Sequence, residues 1–426
     1  MKKVLKKIYD VLPNGIKKLY WQTRKKVGQI LMFRIVFPLG YKHYIKGKKI
    51  KRKKAVFVEV RFDEITDSFR LVYDRMKADG FDVHEQFIEN IKPGKWGYIK
   101  RCLRMLEDIS DAHYVFLNDA CNVTSCIPLR KGTKIYQLWH ACGAFKKFGM
   151  STAELIFGDN RKSLEKYPNY GNLSYVTVSS PEVIWAYEEA MNLKDTKTQV
   201  VATGVSRTDV FYDQHFIEQS KAAVYSVCPA AENKKIILYA PTFRGRVAKA
   251  ESPDCLDIPA MKRALGDEYV LLIKHHPFVK QPPVVPEDCA DFAMDVTKSL
   301  EIDQLLCASD VCVSDYSSLI FEYSLFERPM IFFAYDLDDY FDWRGFYYNY
   351  DELTPGPVVQ ETEEIIDYIR HLDARFDQAQ VHAFKEKFMS SCDGHATDRI
   401  MALVLNSATD HGGINNEESF SYCTGI

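Results

Sequence analysis

Residues 314–350 read SDYSSLIFEYSLFERPMIFFAYDLDDYFDWRGFYYNY. Just upstream, Val311-Cys312-Val313 is an apolar run of strand character. Asp315-Tyr316-Ser317-Ser318 breaks that run with small polar residues, where a helix takes its N-cap. The helix predicted next (Leu319, Ile320, Phe321, Tyr323, Leu325, Phe326) is apolar on most faces, as a segment buried on a sheet must be. Arg328-Pro329 stops it, and Met330–Phe333 starts a second strand. Strand, turn, buried helix and strand form the repeating unit of a parallel α/β sheet. A serine turn opening a helix at the carboxyl edge of such a strand suits a phosphate, because backbone N–H groups and the helix dipole point at it. An ordinary capped turn has the same pattern.

The same alternation runs through the chain. Apolar runs at 54–60, 81–88, 113–118, 134–139, 174–178 and 200–204 predict one set of strands, with helices over 64–79 and 96–110 and from Ser179. Runs at 235–240, 269–274, 311–313 and 330–333 predict a second set, with helices over 361–372 and 381–390. A chain of 426 residues is too long for one small core. The fold expected is α/β, with two Rossmann-like domains facing a cleft. The boundaries expected are a basic arm at 1–53, a first domain at 54–210, a second at 211–406 and a polar tail at 407–426.

Charge is unevenly spread. The formal net charge is −2, yet residues 1–54 hold 18 Lys and Arg against one acid, Asp10. Residues 1–54 therefore carry +17 and the rest of the chain −19. In the arm Ile8, Leu12, Ile16, Leu19, Tyr20 and Trp21 recur at near-helical spacing between lysines, which favours an anionic lipid surface over nucleic acid. The apolar stretch 30–39 is too short to span a bilayer and is interrupted by Arg34 and Pro38. A basic helix packed on the first domain has the same pattern. The 11 cysteines are scattered, without metal-ligand spacing, and read as reduced thiols in the core.

Several polar residues close apolar runs, where open α/β sheets bind ligands. His140 follows Gln137-Leu138-Trp139 and precedes small residues. An imidazole there suits proton abstraction from an alcohol, and a structural histidine fits too. Lys274-His275-His276-Pro277 ends another run, and its adjacent histidines point to opposite faces, which disfavours a shared metal. Thr242 and Arg244 leave the run at 235–240, and a guanidinium suits bidentate phosphate binding, with Arg246 a second candidate. Asp336-Leu337-Asp338 imitates a metal-binding motif but follows a strand.

The order SDYSS…FE…RP…YD…RGFYY, followed by Pro355-Gly356-Pro357, resembles the CDP-glycerol glycerophosphotransferase family, bacterial enzymes that prime or polymerise teichoic acids. The resemblance spans residues 54 to about 405. It implies a two-domain GT-B arrangement and an inverting transferase that needs no metal or other cofactor. His140 would be the base that deprotonates the acceptor hydroxyl, and His276 would offset charge on the departing CMP. Ser317 and Ser318 would hold the diphosphate of CDP-glycerol, with Thr242, Arg244, Lys274 and Arg344 beside it. Asp315 and Glu322 would meet ribose or glycerol hydroxyls, or a nearby Lys or His. Arg207 and Asp209 read as structural hinge residues. The text after His140 (Ala-Cys-Gly-Ala-Phe-Lys) departs from the family's usual Gly-Thr-Pro-Leu-Lys, on the acceptor side. The partners implied are CDP-glycerol, a lipid-linked polyol phosphate or glycan, and the cytoplasmic face of the membrane. CDP-ribitol as donor, a sugar-nucleotide glycosyltransferase and a non-catalytic membrane-surface protein remain alternatives.

Overall fold

The apolar runs assemble into two six-stranded sheets, every strand parallel to its neighbours. The computed structural model describes residues 13–407, apart from 91, 93, 156–157, 159, 246–249, 339 and 341–344. At the N-terminus α1 (Asn14–Ile30) runs through one π turn (Leu31–Val36) into α2 (Phe37–Tyr44). The first domain then alternates β1 (Lys51–Glu59), α3 (Asp67–Ala78), β2 (Asp82–Phe87), α4 (Lys95–Ile109), β3 (Ala112–Leu117), β4 (Lys134–Gln137), β5 (Tyr175–Thr177), α5 (Ile184–Met191) and β6 (Gln199–Val201). Its sheet order is β2-β1-β3-β4-β5-β6.

The second domain contains α6 (Gln214–Val227), β7 (Lys235–Ala240), α7 (Ile258–Leu265), β8 (Tyr269–Ile273), β9 (Ala293–Asp295), α8 (Ile302–Ala308), β10 (Val311–Ser314), α9 (Leu319–Ser324), β11 (Met330–Phe333), β12 (Val358–Val359), α10 (Thr362–Arg370) and α11 (Gln378–Met389). The order of its strands is β12-β11-β10-β7-β8-β9. Central strands β3, β10 and β11 are buried throughout, because helices cover both faces of a parallel sheet. The bounds of β7 and β11 match the sequence reading. β9 and β12 were not anticipated, being only three and two residues long.

Two expected boundaries move. The last helix, α12 (Ala396–Ser407), returns to the first domain, so that domain does not end at 210. Its Ile400, Met401 and Val404 pack with Phe57, Phe116 and Tyr136 of the first sheet, and Ser407 Oγ meets the Tyr136 hydroxyl. Asp209 caps it, accepting from the N–H groups of Ala396 and Thr397 at 3.0 and 2.7 Å, a structural role as expected. Gly204 has φ +86° and lies so close to the Ser391 carbonyl that a Cβ would meet it at 2.0 Å. The arm is likewise not separate up to residue 53: Phe37 and Tyr41 of α2 are fully buried in the main core. β1 starts at Lys51, and Lys54 is buried with Asp108 and Asp111, each 2.7 Å away. Ile8, Leu12 and the expected tail from 408 lie outside the described residues. Among the described residues no helix is long and apolar enough to cross a membrane.

Because α2 belongs to the core, Phe37→Ala should destabilise the first domain by about 3–5 kcal/mol. Calorimetry checks this, and an unchanged melting temperature would make α2 an appendage.

Candidate active site

The carboxyl edges of the two sheets face each other across a cleft of about 640 Å³. From the first domain it is lined by Arg61 and residues 139–146. From the second come Thr242, Phe243, residues 274–278, Ser317, Ser318 and Glu322.

β4 ends at Gln137, and the chain turns through Trp139, whose φ of +59° is costly for so bulky a residue. Its ring packs against Phe148, Tyr170 and Tyr187, with centroids 4.9, 6.0 and 6.2 Å away, which holds the turn. His140 follows, and its Nδ1 lies 2.8 Å from the Asn118 carbonyl oxygen. A carbonyl only accepts, so Nδ1 carries the proton and Nε2 presents its lone pair. Asn118 is held by Glu59, whose Oε2 accepts from its Nδ2 at 2.7 Å. Burial keeps the His140 pKa below the ordinary histidine value; Asp119 opposes this, while Arg61 and Arg207 add to it. Beyond it Gly143 adopts φ +61°, with its Cα against the ring of Phe321 in α9, where a Cβ would sit 2.4 Å from ring carbons.

His276 shows the opposite tautomer. The Phe278 N–H donates to its Nδ1 at 3.1 Å, which leaves the ring proton on Nε2. The ring lies against Phe243 and Phe278, at 4.7 and 4.6 Å. Burial first, then Lys146 and Arg61, push its pKa down to about 4. The site therefore holds His276 as a neutral donor. His275 has different partners: its Nδ1 lies 2.7 Å from Ser252 Oγ.

Ser317 and Ser318 line the cleft, partly exposed, ahead of α9. That helix has only six residues, so local N–H groups outweigh any long helix dipole. Thr242 donates its N–H to Asp315 Oδ1 at 2.8 Å, and its buried Oγ1 has no partner among the described residues. Glu322 lines the cleft but is 4% exposed, and its Oε2 also lacks a partner among the described residues. Burial raises its pKa, and its nearest cation is Arg207, at 3.7 Å, rather than a Lys or His. Arg207 also binds Asp303 at 2.6 Å and reaches the His140 carbonyl at 3.5 Å, so its structural reading extends to joining the two domains.

Three expectations need correction. Arg244 was expected on the diphosphate, yet each of its five N–H groups has an internal partner. Nε and Nη2 bind Asp336 at 2.6 and 2.8 Å, and Nη2 also binds Tyr335 Oη at 3.3 Å. Nη1 binds the Thr242 carbonyl and Asp315 Oδ2 at 2.6 and 3.0 Å. Asp315 is correspondingly buried on Arg244 and on the N–H groups of Thr242 and Tyr316, not poised for a ligand hydroxyl. Lys274 lines the cleft, but its ammonium donates to the carbonyls of Thr297, at 2.9 Å, and Leu300. Asp336 of the metal-like motif is taken up by Arg244 and by the Tyr316 hydroxyl at 2.9 Å. Arg344 and Arg246 lie outside the described residues. The segment after Arg344 crosses the cleft: Phe346 bridges to Lys146, and the Tyr347 N–H donates to the Phe145 carbonyl at 3.1 Å.

Sequence reasoning missed Glu59, Arg61, Asn118 and Asp119. Their signal was present, because Val58-Glu59-Val60-Arg61 and Leu117-Asn118-Asp119 end β1 and β3 at the edge where His140 ends β4.

A family profile described as CDP-glycerol:poly(glycerophosphate) glycerophosphotransferase matches residues 41–406. The chain belongs to this family. It is a transferase of teichoic acid biosynthesis. It is 35% identical over 360 residues to the teichoic acid poly(ribitol-phosphate) polymerase of Bacillus spizizenii, covering 84% of this chain but only 56% of that one. It is 33% identical over 379 residues to the teichoic acid ribitol-phosphate primase of the same organism, covering 88% of this chain and 96% of that one. The solved structure of the wall teichoic acid polymerase TagF matches with a TM-score of 0.69 at 23% identity, over 92% of this chain and 98% of that one, which shows the shared GT-B-type fold.

The tautomer at His276 predicts that its ring titrates near pH 4, with the neutral form protonated at Nε2. Nitrogen-detected NMR of the unliganded protein checks both, and a midpoint at or above 6.5 would overturn the assignment.

Proposed function

We propose that this chain transfers a polyol phosphate from its CDP-activated form to a hydroxyl of a lipid-linked polyol phosphate or glycan, releasing CMP. The observation that carries this reading is the pair of histidines on opposite cleft walls, fixed by backbone groups in complementary tautomers. His140 offers a lone pair, as a general base requires, and stays neutral at pH 7. It takes the proton of the acceptor hydroxyl as that oxygen attacks the β-phosphorus of the donor. His276 offers an N–H, a donor suited to the charge that develops as the bond to CMP breaks. Ser317, Ser318 and Thr242 add hydroxyls beside it, and Glu322 adds an acceptor for a polyol or ribose hydroxyl. Arg344 stays a candidate donor contact from sequence alone. Arg244, Asp315 and Lys274 act by positioning these loops. Asp336, the first carboxylate of the metal-like motif, is taken up by Arg244.

Which polyol moves is a finer question. Glycerol is the sequence expectation and agrees with the family description. The two relatives named for ribitol phosphate, aligned over most of the chain, favour CDP-ribitol as the second reading.

The membrane contact is proposed on the exposed face of the helical run from α1 through the π turn into α2. Val27, Leu31, Ile35 and Leu39 are exposed at four-residue intervals, with Leu19 and Ile30 exposed nearby. In an unbroken α-helix such a row winds by about 40° per step. The π turn at Leu31–Val36 counters that drift and keeps the row on one side, while Arg24 and Lys26 are exposed on the same helix. This supports peripheral attachment at the cytoplasmic face, where lipid-linked acceptors would be reached.

CMP release from CDP-ribitol and CDP-glycerol, assayed in parallel in EDTA with a lipid-linked glycerol phosphate acceptor, tests the reaction. His140→Ala should lower turnover by about 10²–10⁴-fold without loss of fold. Wild-type turnover in that variant would remove His140 as the base. Separately, Leu31→Glu with Ile35→Glu should release the chain from anionic liposomes in a sedimentation assay. Unchanged binding would refute this face.

A further inference from the structure

His140 stands on the first domain, so the acceptor must bring its hydroxyl to that wall. If the acceptor is a polyol phosphate, as in the reading above on which this inference rests, a phosphodiester sits one polyol away from the reacting oxygen. That negative charge needs a cation on the first-domain side. Among the described residues lining that wall the cations are Arg61, Lys146 and Arg207, and Arg207 is taken up by Asp303 and Glu322. The Lys146 ammonium already donates to the Tyr340 hydroxyl, at 3.2 Å.

Arg61 is differently placed. It lies just past the end of β1, beside the loop that carries His140, and its side chain is 40% exposed. Its guanidinium pairs with Asp119, with the closest approach at Nε. Asp119 is itself anchored, since its Oδ1 accepts the Ala120 N–H at 2.6 Å and its carbonyl accepts from Gln137 Nε2 at 3.0 Å. A guanidinium fixed at Nε keeps a planar pair of Nη donors that matches two phosphate oxygens, a geometry that lysine cannot reproduce. Its field reaches both His140 and His276, which puts it close to the reacting atoms. The hydrogen-bonded run from Glu59 through Asn118 to His140 issues from the same two strand ends, so base and guanidinium share one rigid support.

We propose that Arg61, oriented by Asp119, binds the phosphate of the acceptor's terminal unit and makes the enzyme select acceptors that already carry a polyol phosphate. Arg61 is then a specificity residue, and the donor diphosphate is held by the opposite wall.

Binding to the full-length chain tests this without relying on turnover. A short-chain alkyl glycerol phosphate and the matching alkyl glycerol are titrated calorimetrically into wild type, Arg61→Gln and Arg61→Lys, and the donor is titrated in parallel. The phosphate-bearing lipid should bind wild type more tightly than the neutral one. Arg61→Gln should weaken it by about 10- to 100-fold, the range of one charge-assisted contact. The neutral lipid and the donor should stay within twofold, and Arg61→Lys should fall between. The ratio of kcat/KM for the two acceptors should narrow in step, through KM rather than kcat. Equal binding of the two lipids to wild type, unchanged binding in Arg61→Gln, or a loss that falls on the donor would each overturn the proposal. A wild-type chain that discriminates between the lipids yet releases no CMP would instead count against the functional reading alone.

Discussion

The arrangement depends on one buried cation between the domains. Arg207 leaves the end of the first domain, pairs with Asp303 and Glu322 on two helices of the second, and reaches back to the carbonyl of His140. Burial opposes a charged guanidinium here, and the two carboxylates reverse that, so its pKa ends above the ordinary value. Removing one partner of such a group leaves an uncompensated buried charge, typically at a cost of about 3–5 kcal/mol. The distance between the two sheets, and so the width of the cleft, is therefore tied to a polar contact. Apolar packing completes the joint, with Phe145 meeting Phe321 and Phe346 edge-on.

Each wall of the cleft builds its chemistry from backbone rather than from a second titrating group. A carbonyl at the end of β3 fixes the proton of His140, and an amide beyond β8 fixes that of His276. Backbone partners keep their donor or acceptor character at every pH, so the two tautomers are set by the fold. The strained turn at Trp139 shows what this requires. The cation that follows β7, Arg244, is engaged as scaffold: it ties three loops together so that Thr242 and the serine turn keep their places.

The fold was largely legible because parallel strands buried on both faces leave long apolar runs, and β7 and β11 could be bounded from them alone. β9 and β12 were not, since two or three residues carry no periodicity. The return of α12 to the first domain was hidden for another reason: its contacts with Phe57, Phe116 and Tyr136 join residues far apart in sequence. At the site, the places of His140 and His276 at strand ends could be read from sequence, while their roles came from the family resemblance. Arg244 and Asp315 were misjudged because sequence shows a charged residue but not whether its partner is a ligand or another side chain. Arg61 and Asp119 were missed because each looks like an ordinary loop charge until β1, β3 and β4 lie side by side.

The return of α12 also changes what the molecule can do mechanically. The polypeptide passes between the domains twice, once near Val205 and again near Ser391. The two passages touch: a Cβ on Gly204 would meet the Ser391 carbonyl at 2.0 Å, and the Tyr212 hydroxyl donates to the Cys392 carbonyl at 2.8 Å. Two crossings that touch restrain rotation of one domain against the other more than a single crossing could, so the relative orientation of the two strand-end edges is held at two points.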